Sequence, residues 1–76
     1  MKSDTEAAPR PIISELVHDT QASRWGYVVA GLSEVAEFTI LSFDDRPRAE
    51  LSLMAMRSGN ALLAMTGAHI AHAQSL

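Results

Sequence analysis

The sequence predicts an all-α domain, a helical hairpin over residues 33–43 and 48–73 completed by dimerisation. Three observations point there. Arg48 to Ala73 holds three Met, four Leu and eleven Ala, Ser or Gly, without proline, Phe, Tyr or Trp. Such a stretch suits a helix packed closely against a neighbour. Upstream, Val28, Leu32, Val35, Ala36, Ile40 and Phe43 fall within one arc at about 100° per residue, with Ser33, Glu34 and Glu37 opposite. Between the two segments, Asp44-Asp45-Arg46-Pro47 reads as a reversal, with acidic residues that bond their own backbone and a proline suited to a first helical turn. The competing expectation is an α+β chain with a β-hairpin over 36–56, pairing 36–43 with 49–56, followed by a C-terminal helix. It rests on the β-branched and aromatic content of FTILSF.

In chain order, residues 1–11 are polar and broken by Pro9 and Pro11, so a flexible tail is expected there. Residues 12–76 then form one small helical domain. Ile12, Ile13, Leu16 and Val17 are an apolar patch, and Ser14 as N-cap with Glu15 in the first turn permits a short helix over 14–22. Residues 25–30 read as extended. Helix 33–43 starts at Ser33 as N-cap, because Gly31 and Ser33 weaken the stretch before it. The strand reading of 36–43 alternates badly, since Glu37, Thr39, Leu41 and Phe43 would share one face and Ala36, Phe38, Ile40 and Ser42 the other.

Helix 48–73 has Asp44 or Asp45 at its N-terminus, where negative charge opposes the dipole. On a wheel its apolar arc is about twice the ~100° of a surface helix. Leu51, Met54, Ala55, Leu62 and Met65 lie on one side of it and are the expected self-association surface. Small residues at intervals of four, Ala55 with Gly59 and Ala64 with Ala68, imply close backbone approach within a hairpin or across a dimer.

A chain of 76 residues buries only about 60% of its unfolded surface, and disulfides, metals or oligomerisation commonly supplement so small a core. Cysteine is absent, which leaves oligomerisation or docking onto a larger protein. The net charge of −3 with six scattered Lys and Arg gives no basic face for nucleic acid. No run of about 18 apolar residues suits a membrane span, and the N-terminus lacks a secretory apolar run. A cytoplasmic location, with no nucleic acid and no membrane, is therefore expected.

Candidate chemistry is sparse. His69 and His72, with His18 as a distant third donor, have the spacing of metal-binding pairs but no carboxylate within a turn, so no metal is expected. Asp44 with Asp45 and Glu34 with Glu37 read as solvated residues, not acid/base pairs. No nucleophile elbow or phosphate loop is present, so neither enzyme activity nor a cofactor is expected. Arg24, Trp25 and Tyr27 stand out as a partner-binding anchor, since Trp, Tyr and Arg dominate binding hot spots. The resulting expectation is a small interaction module, a regulator, inhibitor or adaptor of a larger protein. In size and charge it resembles the accessory proteins of bacteria and phages. The alternative is a structural subunit of a larger assembly.

Overall fold

The computed structural model describes residues 11–73, in which an antiparallel sheet carries two short helices on one of its faces. The first two strands, β1 (Ile12–Ile13) and β2 (Val17–Asp19), lie on the same edge of β3 (Arg24–Ala30). They are one interrupted strand. At the interruption Ser14 donates its N–H to the Val28 carbonyl (2.9 Å), and its hydroxyl accepts the Val28 N–H (2.8 Å). Ser14 thus keeps an edge ladder satisfied, and it does not cap a helix. Asp19 Oδ1 accepts the N–H groups of Gln21 and Ala22 and so closes the turn into β3.

After β3 the chain passes Gly31, at φ +86°, and an irregular connection to β4 (Phe38–Phe43), which pairs with β3 from Ala30↔Phe38 to Trp25↔Phe43. Helix α1 (Arg46–Arg57) follows, with the Asp45 carboxylate capping the Arg48 N–H at 2.9 Å and Pro47 in the first turn. Helix α2 (Ala61–Met65) and strand β5 (His69–Ala73) complete the chain, β5 lying antiparallel to β4. Across the sheet the order is β1 and β2, then β3, β4 and β5.

The all-α helical hairpin is therefore incorrect, and the chain is an α+β molecule richer in strand than helix. Residues 38–43 are strand despite their poor alternation, because β4 is hydrogen-bonded on both of its edges, to β3 and to β5, and its outer face carries apolar residues although no helix covers it. Thr39, Leu41 and Phe43 point into the core, Thr39 being accommodated by a 3.1 Å hydrogen bond between its hydroxyl and His72 Nδ1. Phe38 and Ile40 occupy the other face, which no helix covers. In place of the short helix over 14–22 the chain has β2 and the turn into β3. The alternative hairpin fails in its pairing: 38–43 is a strand, but its partners are β3 and β5, while 49–56 is helical and the C-terminal element is a strand.

The long helix over 48–73 is stopped at Gly59. There the Asn60 N–H bonds to the Ala55 carbonyl (2.8 Å) and the Gly59 N–H to that of Met56 (3.1 Å), with Gly59 at φ +90°. This is the hydrogen-bond pattern of a Schellman stop. Asn60 then caps α2 through Oδ1 to the Leu63 N–H at 3.1 Å. Gly59 and Gly67 (φ +74°) face open space where a Cβ would lie. They serve as left-handed turn residues and not as points of close helix approach.

The core lies between the helix-facing side of the sheet and α1 with α2: Tyr27, Val29, Leu41 and Phe43 meet Ala49, Leu53, Met56 and Ala64. At its centre Ser52 Oγ donates to the Ala64 carbonyl, so its single proton is taken and the Tyr27 hydroxyl donates to Ser52 (2.7 Å between the two oxygens). One chain of hydrogen bonds thereby ties sheet, α1 and α2 together. The tail expected over 1–11 lies, apart from Pro11, outside the described residues. No helix among the described residues is long and apolar enough to cross a membrane.

Candidate interaction surface

Strand alternation sends every second residue of β1 to β5 away from the helices. On that outer face the register aligns side chains in rows: Val17, Gly26, Ser42 and His69 in one, Val28, Ile40 and Ala71 in the next, and Ile12, Ala30, Phe38 and Ala73 in a third. Two of these rows are wholly apolar. Ile12 is 75% exposed, Val17 58% and Ile40 38%, so no described part of the chain covers the face.

A shallow cavity of about 260 Å³ is set into it, bounded by Val17, Arg24, Gly26, Val28, Ile40 and Ser42 among others. Gly26 creates the depression. A Cβ there would collide with the Leu41 carbonyl oxygen and crowd Ser42 Cα at 3.0 Å. One end of the face is polar. The Arg24 guanidinium binds Ser42 Oγ through Nε (3.1 Å), the Ser42 carbonyl through Nη2 (2.9 Å) and Asp44 Oδ1 through Nη1 (2.6 Å).

Arg24, Trp25 and Tyr27 do not share one exposed patch, because successive strand residues point to opposite faces. Arg24 belongs to the outer face. Tyr27 is 1% exposed and in the core, where burial raises its pKa above the ordinary tyrosine value and the hydrogen bond with Ser52 offsets part of that rise. Trp25 is half-buried, stacked on His18 at 4.3 Å between ring centroids and 17° between planes, with the Arg46 guanidinium 5.2 Å from its ring.

The five residues read as a self-association surface divide as well. Leu51, Met54 and Leu62 are exposed, whereas Ala55 and Met65 pack partly against the core. Leu51 and Leu63 border a cavity of about 450 Å³ with Phe43, Ser52, Thr66 and Gly67.

His69 and His72 are on β5 and point to opposite faces of the sheet, by their pairing with Ser42 and Thr39. Among the described residues no three His, Cys, Asp or Glu side chains converge in a way that could hold a metal ion. Asp44 engages Arg24 and Asp45 caps α1, which gives both turn aspartates structural partners. The outer face escaped the sequence reading, although its signal was the failed alternation itself: Val28, Ala30, Phe38 and Ile40 are apolar where a solvated face calls for polar residues. No protein-family model, curated protein or solved structure matches the chain.

Proposed function

We propose that this chain is a structural subunit of a larger assembly, working in the cytoplasm, and that its outer sheet face is buried against another component. The observation that carries this reading is the pair of apolar rows on a sheet with helices on one side only. An antiparallel sheet with one solvated face normally alternates apolar with polar residues, and a contiguous exposed apolar patch marks an interaction site. A freely diffusing regulator with an anchor at Trp25 fits less well. Tyr27 is in the core, and the Trp25 ring already engages His18 and Arg46.

The test compares the chain with Ile40→Lys and Val17→Lys, both at exposed positions of the outer face. The parent chain should bind a dye that reports apolar surface and should aggregate as its concentration rises. Each variant should lose most of the dye signal while its stability stays within about 0.5 kcal/mol, as surface substitutions do. A dye-silent parent chain that both substitutions leave unchanged in solubility would refute the subunit reading.

A further inference from the structure

A different part of the molecule, the edge of β5 that no described strand pairs, specifies its own occupant. In an antiparallel ladder, residues on one face direct their N–H and C=O groups to one neighbouring strand and residues on the other face to the opposite side. Val28, on the outer face, directs both groups to Ser14 on the β1 side. Outer-face residues of β3 therefore bond towards β1 and β2, and helix-side residues towards β4. Following the register, Phe38, Ile40 and Ser42 bond to Ala73, Ala71 and His69. The bond from the Glu37 N–H to the Ala73 carbonyl, 2.7 Å, agrees with that direction. On the side that no described strand pairs, β5 thus presents the N–H and C=O groups of Ile70 and His72.

We propose that this edge pairs with the same edge of a second copy of this chain, antiparallel and about a two-fold axis through Ala71. Ile70 then lies opposite the partner's His72, and His72 opposite the partner's Ile70. Each pair exchanges two main-chain hydrogen bonds, four in all, which uses every free group that Ile70 and His72 offer.

The strand lacks the charged residues and the proline that keep edges apart: HIAHA contains no Lys, Arg, Asp, Glu or Pro. Its lack of fixed charge also allows self-pairing, in which Ala71 meets its own kind at the axis and the flanking Ile70 and His72 meet each other without charge repulsion. Four hydrogen bonds bury too little surface alone, since a stable interface covers about 1,200 Å² or more. The remainder is supplied on the helix side. Helix α1 packs over β3 and β4, leaving Ile70 39% exposed. Beside it opens the 450 Å³ cavity bordered by Leu51, Leu63 and Phe43, with Arg48 at its border and Thr66 and Gly67 leading into β5. A two-fold axis perpendicular to the sheet places both helix layers on the same side. The two cavities and their exposed leucines then face each other across the paired strands.

This goes beyond the subunit reading, because it concerns the edge and not the outer face. The register makes it testable. Ala71 would sit in a non-hydrogen-bonded pair with itself, at a Cα separation of about 4.5 Å, within disulfide range, and the chain has no cysteine of its own. Ala71→Cys should form a covalent dimer under mild oxidation, whereas Ile40→Cys should not. Sedimentation should show a dimer for the parent chain. Ile70→Pro, which removes an N–H outside the intramolecular ladder, and Ile70→Lys should each shift it to monomer with helix and strand signals retained.

A parent chain that is monomeric throughout would overturn the proposal. So would a dimer that survives Ile70→Lys and fails to cross-link through Ala71→Cys. Pairing of the edge with residues 1–10 of the same chain would give a monomer, and association through the outer face would respond to Ile40→Lys instead. Both count against the edge dimer. Cross-linking through Ala71→Cys in a dye-silent protein would sustain it even if the subunit reading failed.

Discussion

Tyr27 shows how one side chain couples titration to folding. Its hydroxyl is in the core and donates to Ser52, and burial raises its pKa because the phenolate loses hydration there. A group whose pKa is raised on folding holds its proton more tightly in the native state. The unfolded chain then binds fewer protons at alkaline pH, and stability falls as pH rises. The contribution is complete below about pH 10, the unfolded tyrosine value, and is lost as pH climbs from there through the folded pKa. Tyr27→Phe should therefore cost about 0.5–1.5 kcal/mol at neutral pH, the usual worth of a hydrogen bond, and should lose much of the parent's alkaline destabilisation. Urea unfolding of both proteins across pH 7 to 11 checks this, and parallel curves would show that Tyr27 is not the titrating group. Because Tyr27 is the single tyrosine, phenolate absorbance reports its ionisation directly.

At the level of elements, the decisive feature is the pair of breaks between α1, α2 and β5. The wheel over 48–73 is apolar enough for a continuous helix, but Gly59 adopts φ +90° and the Ala55 and Met56 carbonyls are satisfied by Asn60 and Gly59. This stop turns the chain, allowing α2 to lie against α1 and β5 to reach β4. An L-residue in left-handed backbone costs about 1–2 kcal/mol. Gly59→Ala should destabilise by about that amount although open space surrounds the site, and Gly59→Asn should cost less. Thermal denaturation of the two variants decides between the readings: a more stable Gly59→Ala protein would mean that the chain runs on as one helix.

On the scale of the whole molecule, the balance of apolar surface is unusual for so short a chain. Among the described residues nine hydrophobics are buried, three of them alanines, and nine large hydrophobics are exposed. Such a core leaves little margin, and association that covers the remainder adds stability by mass action. The melting temperature should therefore rise with protein concentration. Calorimetry over a hundredfold concentration range checks this, and a constant melt would mean that the isolated monomer holds the fold alone. The same count explains why the site is a surface. Thr39 and Ser52, the buried polar side chains among the described residues, are both hydrogen-bonded, Thr39 with His72 on β5 and Ser52 to the Ala64 carbonyl.

The amino-acid sequence by itself determined the local punctuation. The reversal at Asp44 to Pro47, an aspartate at the start of the helix that follows, the extended stretch before Gly31 and the shortage of internal core all follow from short-range chemistry and size. Only the tertiary structure decided whether 38–43 and 69–73 are strand or helix. Apolar residues at these positions satisfy a wheel as well as a two-sided strand, and the choice depends on partners distant in sequence: β4 needs β3 and β5 on its two sides, and β5 exists only beside β4. The same long-range pairing assembles the outer rows from Ile12, Val28, Ile40 and Ala71 and leaves Ile70 and His72 at an edge that no described strand pairs. No local pattern contains a surface whose members meet only when the sheet closes.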